Sequence, residues 1–543
     1  MTVAFKKEHN TVLLSNLEPR VWTINLDFSV APVEFHVYGN GCRVHDVSGN
    51  KTVSWDNCGN WESFLSFKTD KVLLTAMGGH VCPIYARQIG DTIRISNVAS
   101  RLMEPNEAIR VDTFILLQNI SGVPYPQTNF FKDIQLLEAS AEYHFSAHGI
   151  KRLRSVLEGG SVVSADEVLD IAIAGWDAHL SSGVDIAVLL SGGYDSRFNL
   201  AIACNAARRF GNRVVAFHEH KNANEEAIAT SVALAAGVEL VVYNRHTFLG
   251  ADRNVVLDPA FIDLQSGFYR ENLIRWHHYL SHIQTLLPGC VIMGLGAEAH
   301  KGKFYRQIES FAKDVPKRFG VDEIVIKTIA RKLEINNYDQ NSQQIFIERL
   351  VSQATAFREF TTQIDYIHYQ TYIANGYGHR CHDLQQYFSI PFPFLDNSFL
   401  AAVFALPAAD KENFGIVTRG IERLNSDLAE IPYTSANNKA LGPRVRRPVA
   451  ETLSTVIRQI GPVYYDLFPP RRIGRSEITT IEKDMLRSMQ KRSRLTSRLV
   501  DKALSGAEKI PFLRLDYLIE ACLYFDQLEK QNGVIFTIDG GNE

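Results

Sequence analysis

Val184-Asp185-Ile186-Ala187-Val188-Leu189-Leu190-Ser191-Gly192-Gly193-Tyr194-Asp195-Ser196-Arg197 is the stretch on which the fold turns. Its first seven residues read as a buried strand, and a helical pattern follows from about Ser196 to Phe210. Between them, Gly192 and Gly193 permit backbone conformations closed to other residues, which predicts N–H groups turned inward around an anion. The start of the helix points its positive end at the same place. Ser191 and Ser196 add hydroxyl donors there. Asp195 is out of place beside phosphates unless a cation shields it, which implies magnesium. The spacing fits neither GxxxxGK[ST] nor GxGxxG. A plain strand-to-helix turn with Asp195 as a helix cap is the bland alternative, and the whole heptad in this setting favours binding.

Outward from this loop the texture is α/β. Ala165 to Leu180 repeats apolar residues at helical spacing, with Val168, Ile171, Ala172 and Trp176 on one face. After the loop helix, Arg213 to Phe217 reads as a strand, Asn224 to Ala236 as a helix, Val238 to Tyr243 as a strand and Cys290 to Met293 as another. Strands alternating with helices imply crossover units and a parallel sheet. Residues 1 to about 150 differ: short β-like runs at Val12–Leu14, Val33–Tyr38, Val72–Ala76 and Thr92–Ser96 are punctuated by Gly and Asn clusters. Glu158-Gly159-Gly160-Ser161 reads as a hinge, and from about 310 onward the pattern is mainly helical.

Composition sets outer limits. The chain has 543 residues, 57 Lys+Arg against 60 Asp+Glu, and 45% hydrophobic residues. At about 100–200 residues per domain this predicts several domains, and it excludes wholesale disorder. The near-neutral balance argues against a globally basic nucleic-acid binder. Gly442 to Lys502 is nonetheless locally basic, with fourteen Lys/Arg against six Asp/Glu. Seven cysteines without a CxxC pair make neither a disulfide framework nor a four-thiolate zinc site. His379-Arg380-Cys381-His382-Asp383 lacks a standard zinc spacing and reads as a turn, while Trp276-His277-His278 reads as part of a helix. No apolar run is long enough to cross a bilayer and the first residues do not form a signal peptide, so a soluble cytoplasmic protein is expected.

Ser191 to Ser196 resembles the SGGxDS pyrophosphate loop of the α-hydrolase-like ATP pyrophosphatases. More closely, the chain is similar to the asparagine synthetase C-terminal family, relatives of which include β-lactam synthetases and lasso-peptide cyclases. Glu225-Glu226-Ala227 with Ala233 to Gly237, Met293-Gly294-Leu295-Gly296-Ala297-Glu298 with Gly302, and Pro393-Phe394-Leu395-Asp396 with Leu406-Pro407 match its later motifs in order. The resemblance covers about residues 160–445. It implies ATP and Mg2+ as cofactors, with Ser191, Gly192, Gly193, Asp195 and Ser196 binding the nucleotide. It also implies Asp195 and Glu298 as metal ligands, with Glu298 and Lys439 in catalysis. The implied reaction activates a carboxylate as an acyl-adenylate, releases pyrophosphate and passes the acyl group to an amine.

The first third resembles, more weakly, the family's glutaminase domain of the Ntn type, through Pro83–Ala86 with Ile93–Ser96 and through Asp112–Leu117 with Thr128–Ile134. Position 2 is Thr2 where glutaminases of that class carry a nucleophilic cysteine, and Cys42 would lead only after a cleavage. The expected architecture is therefore a degenerate glutaminase-like β-rich sandwich over 1–155. A Rossmann-like, parallel-sheet ATP pyrophosphatase domain would follow over 160–543, with a helical extension from about 445. Leu295 stands where asparagine synthetases have a glutamate and β-lactam synthetases a tyrosine, so neither activity is expected. A small-molecule or peptide carboxylate is the expected substrate, a peptide or protein the expected partner of the basic tail, and no membrane or nucleic acid. A nucleic-acid-modifying ATP pyrophosphatase and a noncatalytic ATP-binding homologue are the alternatives.

Overall fold

The computed structural model describes residues 22–27, 34–39, 42–47, 50–56, 62–68, 71–76, 78–80, 82–112, 116, 130–158, 160, 163–220, 222–244, 273–294, 297–301, 348, 352–357, 360–385, 388–411, 414–434, 440–441, 525–526, 528–530 and 533–538. The run Val12–Leu14 and the basic stretch 442–502 lie outside them, as do Thr2, Leu295, Gly302 and Lys439.

The amino-terminal strands form two antiparallel sheets. In one, Gln135–Leu136, Tyr85–Ile89, Thr92–Ser96, Trp22–Asp27 and Glu34–Gly39 lie side by side in that order. In the other the order is Gly149–Ser155, Ala141–Ser146, Lys71–Thr75, Glu62–Lys68, Asn50–Asp56 and Cys42–Val47. Alternation with period two decides which side chains go inside. Ile24, Leu26, Ile93 and Ile95 of the first sheet share one buried cluster with Val72, Leu74, Tyr143 and Phe145 of the second. The strand pair expected around Tyr85 and Ser96 forms in that register. One element here was not expected. Ile535–Ile538 lies parallel to Ala108–Val111, and Phe525 and Phe536 pack on Phe130 and Phe131.

The second region is a parallel sheet of β1 (Ile186–Leu189), β2 (Val214–His220), β3 (Glu239–Asn244) and β4 (Cys290–Ile292), in the order β3-β2-β1-β4. All three pairings are parallel. On one face Ile186, Val188, Ala216, Cys290 and Ile292 meet α1 (Ala165–Leu180), α2 (Tyr194–Phe210) and α3 (Ala223–Ala236). On the other, Ala187, Val215, Phe217 and Val291 meet Tyr279, Leu280 and Ile283 of α4 (Leu273–Leu286). Helices on both faces make the unit doubly wound. The chain steps outward from β1 to β3 and then returns to β4 on the other side of β1. The strand order thus reverses between β1 and β4, where such sheets place their ligands.

Local chemistry sets the helix bounds. Ser164 and Glu167 close a reciprocal capping box on α1. The Asn222 side chain accepts from the Glu225 N–H at the start of α3, which ends at Gly237 with φ +68°. Past the sheet come α5 (Asn397–Ala405) and α6 (Gly415–Leu424). Two expectations change. His379–Gln385 is a helix rather than a turn, with Cys381 and His382 buried, and no group of three metal-ligating side chains occurs among the described residues. Gly160, in the expected hinge, is packed: a Cβ there would lie 3.0 Å from the Ala401 carbonyl oxygen. No helix among the described residues is long and apolar enough to cross a membrane.

Candidate functional site

The loop between β1 and α2 holds its shape through its own hydroxyls. Ser196 Oγ accepts the Ser191 N–H at 3.0 Å and lies 2.9 Å from Ser191 Oγ, which in turn accepts the Gly193 N–H at 3.3 Å. His218 of β2 holds the exit of β1, its Nδ1 lying 3.0 Å from the Leu190 carbonyl oxygen. Neither Gly192 nor Gly193 adopts a positive φ, so the backbone freedom invoked for them is not used. Space is what they supply. A Cβ on Gly193 would meet nothing closer than Ser191 Oγ, at 3.5 Å. Gly193 is the N-cap of α2, and no side chain caps that end. The start of α2 is thus left without a side-chain cap, an arrangement suited to an oxyanion.

The turn after β4 closes on this loop. The Asn199 side chain donates to the Met293 carbonyl at 3.0 Å, and a Cβ on Gly294 would lie 3.6 Å from that of Asp195. Glu298 stands in the short 3-10 turn Ala297–His300 just beyond; only its backbone position is described. The next charged residue carries the most informative contact. Lys301 Nζ lies 2.6 Å from Asp195 Oδ2, with 8% of the lysine side chain exposed, and 5.6 Å from the centre of the Phe414 ring.

Behind the polar loop an aromatic wedge joins the three sequence motifs. Phe394, from Pro393-Phe394-Leu395-Asp396, stacks on Phe198 of α2 at 5.8 Å and meets Trp176 of α1 edge-on at 6.4 Å. The His300 ring stands edge-on to Phe394 at 5.1 Å and to Phe399 at 5.8 Å. Burial, with the Lys301 charge adding to it, pulls the His300 pKa down to about 3, so the imidazole is neutral. Asp396 is committed to structure: its carboxylate accepts the Ser398 and Phe399 N–H groups and caps α5. Gly420 of α6 lets Phe198 approach, since a Cβ there would fall 2.2 Å from its ring.

Arg197, the residue after the loop, is fully buried and meets carbonyls rather than a carboxylate. It donates to the Leu428, Ile431 and Pro432 oxygens at 2.9, 2.6 and 2.8 Å. Those bonds fix the chain entering Tyr433, whose ring lies 4.4 Å from that of Tyr194. Tyr433–Thr434 pairs antiparallel with Ala440–Leu441. Lys439 falls in the connection between them, outside the described residues. Sequence reasoning placed the loop but missed Lys301, Arg197 and the His300 wedge, whose partners lie far away along the chain.

A doubly wound α/β unit with a hydroxyl-bearing strand-to-helix loop at its switch point is what this fold defines. No protein-family model matches the chain, and no curated protein matches it. Among solved structures, the NAD+ synthetase from Burkholderia pseudomallei is 18% identical, over 36% of this chain and 94% of that one, with a TM-score of 0.21. The glutamine-dependent NAD+ synthetase from Acinetobacter baumannii, in complex with ADP, is 14% identical, over 41% of this chain and 50% of that one, with a TM-score of 0.20. No activity follows from likenesses of that extent.

Proposed function

We propose that this chain is an ATP-dependent, AMP-forming carbon–nitrogen ligase that adenylates a substrate carboxylate and passes it to an amine. The single observation carrying this reading is the loop itself. It has an uncapped helix start, two inward-bonded hydroxyls and a lysine ammonium, all beside the point where strand order reverses. That donor set suits a polyphosphate. The asparagine synthetase-like motifs noted above supply the reaction class, and the aromatic wedge that packs them together supports reading them as one site.

In this mechanism the α2 N–H groups and the Ser191 and Ser196 hydroxyls hold the β- and γ-phosphates while the carboxylate attacks the α-phosphorus. They then stabilise the pyrophosphate that leaves. The Ser191–Ser196 contact holds the two hydroxyl oxygens in place, and each hydroxyl would turn its proton from its loop partner to a phosphate oxygen when ligand arrives. Tyr194 and Tyr433 pack together beside the loop, and Lys439, one residue before Ala440 in the sequence, is the candidate to stabilise the adenylate. A phosphate-bound Mg2+ takes only one or two protein carboxylates, and Asp195 with Glu298 would supply them. Bound there, the ion would neutralise phosphate charge.

The amine is free or carried by the same substrate rather than drawn from glutamine. The carboxylate belongs to a peptide or a specialised metabolite. Incubation with ATP, magnesium chloride and pooled carboxylates and amines should yield AMP and pyrophosphate in equal amounts, resolved by ion-exchange chromatography. ADP and phosphate instead would contradict the reading.

A further inference from the structure

Asp195 poses an electrostatic problem that the fold answers with a side chain. A carboxylate in the first turn of α2 favours the helix itself but repels any phosphate approaching the same N–H groups. Lysines are almost never so buried unless paired, and Lys301 is paired with that carboxylate. Its root is not loose: the preceding residue, His300, is fully buried against Phe394 and Phe399. Phe414 lies beside the ammonium. An ammonium has three donors and acts as a point charge, so it can hold a carboxylate and a phosphate oxygen together.

We infer that Lys301 is a phosphate ligand and the resident counter-cation of the Ser191–Ser196 loop, and that the loop therefore binds inorganic pyrophosphate without any metal. This rests on the phosphate-binding reading of the loop given above. Magnesium is then an addition to a site already balanced by lysine, and Asp195 competes with the phosphate for the ammonium until ligand arrives.

The test is calorimetric titration of the full chain with sodium pyrophosphate in EDTA, with thermal melts of every variant alongside. Wild type should bind. Lys301→Met should weaken binding by about tenfold to a hundredfold, as expected for one charge-assisted contact, and Lys301→Arg should recover most of it. Asp195→Asn should tighten binding by about threefold or more, because a carboxylate that repels the phosphate is gone. A purely structural ion pair predicts instead that Lys301→Met and Asp195→Asn lose binding alike, which would overturn the inference. So would metal-free pyrophosphate failing to bind wild type, or binding Lys301→Met as well as wild type. Failure of the ligase reading shows separately: ADP as product overturns that reading whatever the titrations give, whereas AMP formation by wild type together with undiminished pyrophosphate binding by Lys301→Met overturns this inference alone.

Discussion

Two ion pairs in this molecule are built from the same kinds of atoms and serve opposite ends. At the seam between the amino-terminal sheets and the helices, Glu138 is 2% exposed and spends its carboxylate on the protein. It accepts from Arg152 Nε and Nη2 at 2.7 and 2.9 Å, from the Tyr366 hydroxyl and from Gln370 at 3.4 Å. Next to it the Tyr369 hydroxyl accepts the Gly79 N–H at 2.5 Å and lies 2.7 Å from Ser140 Oγ. Asp195, by contrast, keeps 26% of its side chain exposed, at a helix start with no side-chain cap and with open room beside Gly193. A network closed on itself fixes architecture, whereas one that faces open room and uncapped N–H groups is arranged for a ligand.

The largest effect expected from this contrast is at the seam. A Cβ on Gly78 would fall 1.8 Å from the Leu395 carbonyl oxygen, so Gly78→Ala should cost about 3 kcal/mol or more in denaturant unfolding. Glu138→Ala should cost about 3 kcal/mol by the same measurement, because it strands Arg152 and leaves Tyr366 without its acceptor. Lys301→Met should cost less stability than Glu138→Ala, because Asp195, with 26% of its side chain exposed, stays partly hydrated when its partner is removed. Equal stability losses at Glu138 and Lys301 would erase the distinction.

Response to pH separates the regions again. His300 has its pKa lowered to about 3, so its contribution is complete above the unfolded value of ~6.5 and is lost as pH falls from there toward 3. Through that group, stability at pH 5 should be about 2 kcal/mol below that at pH 8, and His300→Phe should flatten the slope. Tyr366 and Tyr369 are raised, chiefly by burial, so their contribution is complete below ~10 and lost as pH rises beyond it. Hydrogen exchange should accordingly show the loop wedge opening first in acid and the seam first in alkali.

What the sequence conveyed is what neighbouring residues decide. Ser164 and Glu167, three residues apart, fix the start of α1, and the apolar run before Ser191 fixes β1 and the loop that leaves it. What it did not convey rests on distant partners. Asp195 and Lys301 are 106 residues apart, and no local pattern marks Lys301 as a site residue. Asp195 alone suggested a metal, and the Lys301 ammonium beside it is a cation to which no local pattern pointed. The glycines illustrate the same limit, because left-handed geometry is a local inference and neither Gly192 nor Gly193 adopts it. The pairing of Ile535–Ile538 with Ala108–Val111 is likewise set by the fold and not by either segment alone.

Gly193 offers the most direct trial of the claim that the loop receives the phosphates of ATP. Its φ of −88° and ψ of 165° suit any residue and a Cβ there would meet nothing closer than 3.5 Å, so Gly193→Val should fold with a melting temperature only a few degrees lower, valine being the poorer N-cap. The valine would stand where the anion is to sit. Titrated with ATP and magnesium chloride in a calorimeter, wild type should bind and Gly193→Val should bind at least about a hundredfold more weakly. A folded Gly193→Val protein that binds ATP as tightly as wild type would contradict the assignment of this loop.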